Sequence, residues 1–164
     1  MVSKLFQLFC QHPLNMNATA NAIAEDPSLQ PAVIEATNIR QIQEGLGSYA
    51  RLSEAVEVAL LDPTGAVLVR WDGSDRQADL DALGVLATAS FTATKSMVQR
   101  LGDKSFGGIC HQGREHCLYI APLMRGYMLL TMHSANARVP DMRQSLVRIV
   151  TRLNQQLVQE SAPK

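Results

Sequence analysis

The stretch from Val56 to Leu157 alternates short aliphatic runs with longer amphipathic ones, and this order constrains the fold more than any other feature. The first two aliphatic runs are Val56 to Leu61 and Ala66 to Trp71, separated by Asp62-Pro63-Thr64-Gly65. Proline presets the backbone for a turn, and glycine tolerates a positive φ. We therefore predict two strands that pair as a β-hairpin.

Two helices are indicated by apolar residues that recur at steps of three and four. The first such segment begins at Pro31, and Gly45 and Gly47 suggest that it ends near residue 46. The second runs from Asp79 to Leu101, and Gly102 follows it as a stop signal. We predict one helix over about 31–46 and another from Asp79 to Leu101.

The C-terminal part of the chain carries three more aliphatic runs, Phe106 to Gln112, Glu115 to Ala121 and Tyr127 to His133, which we interpret as strands. Apolar residues from Met142 to Leu157 then advance by four, three, four and four, which predicts a closing amphipathic helix. The order αββαβββα predicts an α/β sandwich, in which a five-stranded and mostly antiparallel sheet carries helices on both faces.

Length and charge narrow the class of protein. The chain has 164 residues, 46% of them apolar, which suits one domain at 31–160 after an N-terminal helical extension at 1–30. Fifteen basic residues balance fifteen acidic ones, so the field that attracts nucleic acid is missing. No apolar run approaches the roughly 20 residues of a transmembrane helix. The odd number of cysteines favours a reducing cytoplasm.

Cysteine and histidine concentrate in the segment from Cys110 to Cys117. If its turn centres on Gly113-Arg114, the two cysteines lie opposite each other across a hairpin, as do His111 and His116. Strand residues alternate between faces, so the cysteines share one face and the histidines the other. A tetrahedral zinc site needs four converging ligands, so we predict no metal site and two buried cysteines. A cross-strand disulfide and metal binding are the alternatives.

No arrangement of residues in the sequence predicts catalysis. Neighbouring cysteine and histidine residues on a strand point to opposite faces, which leaves a cysteine nucleophile without a base. The glycine-rich motif of P-loop hydrolases is missing. The carboxylates from Asp72 to Asp81 suit the positive end of the following helix. We therefore expect no enzymatic activity, no catalytic residue and no cofactor.

Several of these segments resemble the Roadblock family, also called the dynein light-chain Roadblock type. The resemblance is carried by the hairpin from Asp62 to Val69, by Asp72-Gly73, by the small-residue helix from Leu83 to Leu101 and by the run from Ala121 to Leu130. It covers about residues 31 to 158. PAS-like, profilin-like and longin-type sandwiches have a similar sequence texture and are the alternatives.

The resemblance implies a homodimer in which edge strands pair and the long helices pack together. The long helix is rich in small residues that would let a second helix approach, which agrees with that arrangement. The predicted dimer interface consists of Leu83, Gly84, Ala87, Phe91, Thr94, Val98, Phe106 and Ile109. The alternative is that the small residues pack on the protomer's own sheet.

Bacterial members of the family pair with small Ras-like GTPases, and the resemblance implies a partner of that type here. The predicted partner surface consists of Gln77, Asp81, Thr88, Lys95 and Gln99. On this interpretation the chain is a bacterial, cytoplasmic regulator or scaffold, and at most an activator of the GTPase. The alternative is a sensory or signalling adaptor of PAS or profilin type that binds a small ligand or another protein.

The N-terminal extension contains a short apolar segment with Leu5, Phe6, Leu8 and Phe9. We expect this segment to dock on the domain itself. A groove in another protein and a membrane surface are the alternative docking sites.

Overall fold

The structure is a computed structural model that describes residues 36–72, 79–103, 106–137 and 139–159. The predicted N-terminal extension lies outside these residues. The helices are α1 (Ala36–Ser53), α2 (Leu80–Arg100) and α3 (Val139–Gln159), and a 3₁₀ turn spans Met124–Gly126. The strands are β1 (Ala55–Leu61), β2 (Val67–Asp72), β3 (Ile109–Gln112), β4 (His116–Pro122) and β5 (Met128–Ser134). No helix in the described part of the chain is long and apolar enough to cross a membrane.

The five strands form one sheet in the order β2-β1-β5-β4-β3. Every pair of neighbours is antiparallel. Strands β1, β5 and β4 therefore lie inside the sheet, while β2 and β3 are its edges. The predicted α/β sandwich with a five-stranded, mostly antiparallel sheet is confirmed, and the order of its elements is αββαβββα.

The hairpin predicted around Asp62 is confirmed, and the Asp62 side chain organises its turn. Asp62 Oδ1 accepts hydrogen bonds from the Thr64 amide at 2.7 Å, the Thr64 hydroxyl at 2.6 Å and the Ala66 amide at 2.9 Å. Gly65 adopts φ +92°, which a side chain would disfavour. The sequence therefore closes this hairpin with local interactions.

The first helix extends further than the sequence predicts. Helix α1 passes through Gly45 and Gly47 and ends at Ser53, so the predicted end near residue 46 is wrong. Gly47 serves packing, since a Cβ atom there would lie 3.1 Å from Cδ1 of Trp71 on β2. The helix ends where Glu54 takes a positive φ of 54°.

The second helix begins and ends as predicted. Asp79 caps its N-terminus by accepting a hydrogen bond from the Ala82 amide at 3.1 Å. At the other end Gly102 adopts φ +91° and its amide donates to the Gln99 carbonyl at 3.0 Å. The Asp103 amide donates to the Val98 carbonyl at 3.2 Å, which completes a Schellman motif.

The core consists of one apolar cluster on each face of the sheet. Helices α1 and α3 cover the first face, and the residues that predicted α3 are all buried there: Met142, Leu146, Ile149, Leu153 and Leu157. Helix α2 covers the second face, where Leu80, Ala87 and Phe91 pack on β1, β4 and β5. Asn154 of α3 also accepts a hydrogen bond at 2.8 Å from the Met124 amide, which ties the 3₁₀ turn to the helix. Within the described residues, one face of the sheet thus has two helices and the other has one.

Candidate functional site

Helix α2 lies on its face of the sheet without a neighbouring helix in the described part of the chain. Its sheet-facing side buries Leu80, Gly84, Ala87 and Phe91. The opposite side carries large apolar side chains in solvent: Val85 is 54% exposed, Leu86 65% and Met97 58%. We call these three residues, with the exposed Ala82, Ala89 and Ala93, the α2 outer face.

The α2 outer face is unusual because it is both apolar and free of charged side chains. Seven large hydrophobic side chains are exposed in the described residues, and four of them are in α2 or at its C-terminal cap, Leu101. No charged residue occurs between Asp81 and Lys95. The small exposed residues between them are Ala82, Ala89 and Ala93. This apolar surface is therefore the candidate contact site of the protein.

Strand β3 borders the same face and is an edge of the sheet. It pairs with β4, and in the described ranges no strand pairs with its other side. Phe106, which precedes β3, is half-buried and packs against Phe91 with ring centroids 5.0 Å apart. The edge strand and the α2 outer face therefore belong to one side of the molecule.

The predicted dimer residues divide into two groups in the structure. Gly84, Ala87 and Phe91 are buried against the protomer's own sheet, as the alternative interpretation expected. They therefore have little surface to offer a second copy, and the proposed interface below is built on other residues. The half-buried residues are Leu83, Thr94, Val98, Phe106 and Ile109. The sequence analysis missed Val85, Leu86 and Met97, which lie out of phase with the buried stripe of the helix.

The predicted partner surface is only partly exposed. Asp81 and Gln99 are exposed at the two ends of α2, and Lys95 is half-buried. Thr88 faces inward: its Oγ1 is buried and has no hydrogen-bond partner among the described residues. Gln77 lies outside the described residues.

The β3–β4 hairpin has a different register from the predicted one. Gln112 pairs with Cys117, and Cys110 pairs with Tyr119, so the two cysteines are diagonal neighbours. The turn centres on Arg114-Glu115 instead of Gly113-Arg114, and the Gly113 amide donates to the His116 carbonyl at 2.8 Å across it. The cysteines still share one face, and their Sγ atoms are 3.3 Å apart. His111 and His116 are exposed on the other face.

The two thiols differ in acidity because one hydrogen bond joins them. With Cys110 as the donor, this bond stabilises a thiolate on Cys117 and lowers the pKa of Cys117 to about 7, against the opposing effect of burial. The same hydrogen bond raises the pKa of Cys110 far above its usual value, and burial and the Cys117 charge add to the rise. Either sulfur can donate this hydrogen bond, and Cys117 is the more acidic thiol when Cys110 donates. No group of three or more metal-binding side chains occurs in the part of the chain that the structure describes.

No protein-family model matches the chain, and no curated protein matches it in sequence. Solved structures nevertheless share its fold. An MglB structure with a tetrameric arrangement superposes with a TM-score of 0.74 at 21% identity, covering 80% of this chain and 98% of that one.

Two further solved structures agree with this similarity. The gliding protein MglB of Thermus thermophilus gives a TM-score of 0.73 at 21% identity, with 80% of this chain and 98% of that one covered. A Roadblock/LC7 domain from Streptomyces avermitilis gives 0.64 at 14% identity, with 71% and 97% covered. The chain therefore has a Roadblock-like fold, as the sequence resemblance predicted.

Proposed function

We propose that this chain is a cytoplasmic, non-enzymatic interaction module: a homodimer that regulates or scaffolds a small Ras-like GTPase. The observation that carries the proposal is the exposed, uncharged α2 outer face on a Roadblock-like fold. Exposed large apolar side chains on a helix are costly in water and are stabilised when a partner covers them.

The α2 outer face has the composition of a helix-pairing surface. Leu86 and Met97, 65% and 58% exposed, can each contribute about 1–2 kcal/mol when a second helix buries them. Ala82, Ala89 and Ala93 lie on the same side of α2, and their small side chains let two helix axes approach to about 8–10 Å. A two-fold axis would place the α2 outer face of one protomer against that of its partner.

The edge of the sheet at β3 is suited to pairing with a second strand. Strand β3 contains Ile109, Cys110, His111 and Gln112, and none of them carries a permanent charge that would block strand addition. A two-fold pairing of β3 with its copy would continue the antiparallel sheet across the dimer. Phe106 and Ile109 are half-buried beside this edge and would be covered by the same contact.

The GTPase partner rests on the resemblance to the Roadblock family rather than on a site in this chain. Asp81 and Gln99 are exposed at opposite ends of α2, so they would flank a paired-helix platform. A platform that binds one nucleotide state of a GTPase better than the other shifts the switch loops of the GTPase toward that state. The chain would need no catalytic residue of its own for this effect.

Oligomeric state and nucleotide-dependent binding are tested separately. Light scattering on the full chain should give twice the protomer mass of 17.9 kDa. The immobilised protein is then incubated with lysate of the native organism, with GDP in one sample and a non-hydrolysable GTP analogue in the other. We expect mass spectrometry to find a Ras-like GTPase enriched in one nucleotide state. Enrichment of other proteins with no GTPase in either sample would replace the proposal with the adaptor alternative.

The partner surface is then tested with the purified GTPase. Asp81→Lys and Lys95→Glu should weaken its binding in calorimetry, because they reverse charges beside the α2 outer face. Arg148→Glu is the matched control, since Arg148 is exposed on α3 across the sheet. Equal affinities for all three variants would place the GTPase elsewhere on the molecule.

A further inference from the structure

We propose that Cys110 and Cys117 form a peroxide-sensitive dithiol, in which hydrogen peroxide joins the two sulfur atoms in a reversible intramolecular disulfide. The proposal does not depend on the GTPase partner, and it applies to the protomer, in which β3 is an edge strand. It rests on the placement of the two thiols on one face of the β3–β4 hairpin.

The two sulfur atoms lie close enough to bond after a small movement. The Sγ atoms are 3.3 Å apart, and both cysteines are free thiols. A disulfide bond is about 2.05 Å long, so the atoms must approach by about 1.3 Å. The two side chains already converge, although their residues are diagonal rather than opposite in the register.

The edge position of β3 allows the required movement. Strand β3 is four residues long and pairs on one side with β4. Gly107 and Gly108 precede it, and Gly108 adopts φ +145°, a conformation open mainly to glycine. A short edge strand behind two glycines can shift toward its neighbour at lower cost than a strand in the middle of a sheet.

With Cys110 as the donor of the hydrogen bond between the thiols, Cys117 is the sulfur that reacts first. The Cys117 thiolate attacks one oxygen of hydrogen peroxide, an S–O bond forms, the O–O bond breaks, and hydroxide leaves as water after protonation. The sulfur of Cys110 then attacks the sulfenic sulfur of Cys117, the S–S bond forms, and the S–O bond breaks. The hydroxyl group leaves as water with the Cys110 proton. Two thiols are oxidised and one peroxide is reduced to two waters.

The environment of Cys117 selects a small oxidant. Cys117 is 6% exposed, whereas Cys110 on the edge strand is half-buried. Hydrogen peroxide is close to water in size and can reach a sulfur that a bulky disulfide reaches with difficulty. Cys110 then competes with a second peroxide for the sulfenic acid, and its proximity favours the disulfide over irreversible oxidation.

The sequence allows a direct test of the bond. Trypsin cleaves after Lys104, Arg114 and Arg125, so Cys110 and Cys117 fall in the separate peptides 105–114 and 115–125. The full chain is treated with hydrogen peroxide, alkylated, digested without reductant and analysed by mass spectrometry. We expect the two peptides to appear as a linked pair that has lost two hydrogen atoms, and dithiothreitol to separate them.

Variants separate the roles of the cysteines, and circular dichroism checks that each variant is folded. Cys10→Ser should keep the full yield of the linked pair, because Cys10 plays no part in it. Cys110→Ser should abolish the linked pair and leave a sulfenic acid on Cys117 that dimedone traps. Cys117→Ser should leave Cys110 largely unoxidised.

Three results would overturn the proposal. The wild-type peptides 105–114 and 115–125 could remain unlinked while methionines are oxidised. The linked peptides could join either cysteine to Cys10. The third result is conversion of Cys117 to sulfinic acid at the same rate in the wild type and in Cys110→Ser.

Discussion

Gly65 in the β1–β2 turn and Gly84 in α2 lie with backbone against backbone. A Cβ atom at Gly65 would be 2.8 Å from the Gly84 carbonyl oxygen, and a Cβ atom at Gly84 would overlap the Gly65 carbonyl oxygen. The hairpin turn and the helix can approach this closely because neither residue has a side chain. This contact fixes the position of α2 on the sheet, and with it the direction of the α2 outer face.

Gly84→Ala should therefore destabilise the protein. The added methyl group meets rigid backbone, and overpacking of this type costs about 1–3 kcal/mol in the free energy of unfolding. Urea denaturation followed by circular dichroism measures the change. Gly45→Ala is the matched control, because its methyl group would find its neighbours at ordinary distances of 3.6 Å and more. Replacing this helical glycine should stabilise the protein by about 0.5–1 kcal/mol. Equal effects of the two substitutions would contradict the close contact.

His133 should make the protein less stable in mild acid. The side chain is fully buried, and the Ser53 carbonyl 3.2 Å from its Nδ1 requires a proton on that nitrogen. Its Nε2 then accepts from the hydroxyls of Tyr49 at 3.3 Å and Thr131 at 3.1 Å. Burial lowers the pKa of His133, and the hydrogen bond to Ser53 only partly opposes this.

The unfolded chain therefore binds a proton at a higher pH than the folded protein does. Stability from neutral His133 is present above the unfolded pKa of about 6.5 and is lost as the pH falls toward the folded pKa. Below about pH 6.5 the free energy of unfolding should fall by up to about 1.4 kcal/mol per pH unit until the folded pKa is reached. His133→Asn retains a hydrogen-bond donor but does not titrate, so its stability should be nearly flat over this range. A wild-type slope equal to that of the variant would contradict the prediction.

Asp62 should stabilise the β1–β2 turn through its hydrogen bonds. Asp62→Ala removes the acceptor for two amides and a hydroxyl and should cost about 0.5–1.5 kcal/mol. Asp62→Asn keeps the Oδ1 acceptor and should cost less. Burial alone would raise the pKa of the Asp62 carboxyl, but hydrogen bonds from Thr64, Ala66 and Gly65 outweigh it and lower the pKa.

The ionised form of Asp62 therefore contributes stability above its unfolded pKa of about 3.9, and this contribution is lost as the pH falls through the folded pKa. Thermal unfolding of the wild type and Asp62→Asn should converge in strong acid. A difference that does not change with pH would show that charge plays no part in the turn.

Leu86→Asp should disrupt the proposed dimer without unfolding the protomer. Leu86 is 65% exposed in the protomer, so the substitution should change protomer stability by about 0.5 kcal/mol or less. In a dimer it would bury two carboxylates against apolar helices, and we expect the dimer dissociation constant to rise at least about tenfold. Leu52→Asp is the control, because Leu52 is 72% exposed at the end of α1 on the other side of the sheet. Light scattering over a dilution series should show a dimer for this control. Loss of the dimer in both variants, or in neither, would move the interface away from α2.

Local signals predicted most of the elements correctly. The turn at Asp62, the cap at Asp79 and the stop at Gly102 each depend on side-chain or backbone preferences within a few residues. The apolar spacing that predicted α3 also identified its buried side correctly. Glycine in α1 misled the prediction, because Gly47 is required by its contact with Trp71, which is distant in sequence.

Less of the candidate site than of the fold could be predicted from the sequence. Sequence spacing identified α2 as a helix with many small residues, but Gly84 and Ala87 proved to face the protomer's own sheet. Thr88 was predicted to face outward and has a buried hydroxyl. The rotation of a helix about its axis depends on packing. Helix α2 carries apolar residues on its buried side and on its exposed side, so apolar spacing alone does not define which side is buried.

The sequence by itself determined which segments become helices and strands in most of the described chain, because turns, caps and periodicity are properties of neighbouring residues. The tertiary structure decided the strand order, the register that makes Cys110 and Cys117 diagonal neighbours, and the α2 side chains that remain in solvent. Each of these depends on contacts between residues far apart in the chain. These contacts form only when the sheet, the turn at Gly65 and the helix at Gly84 are packed together.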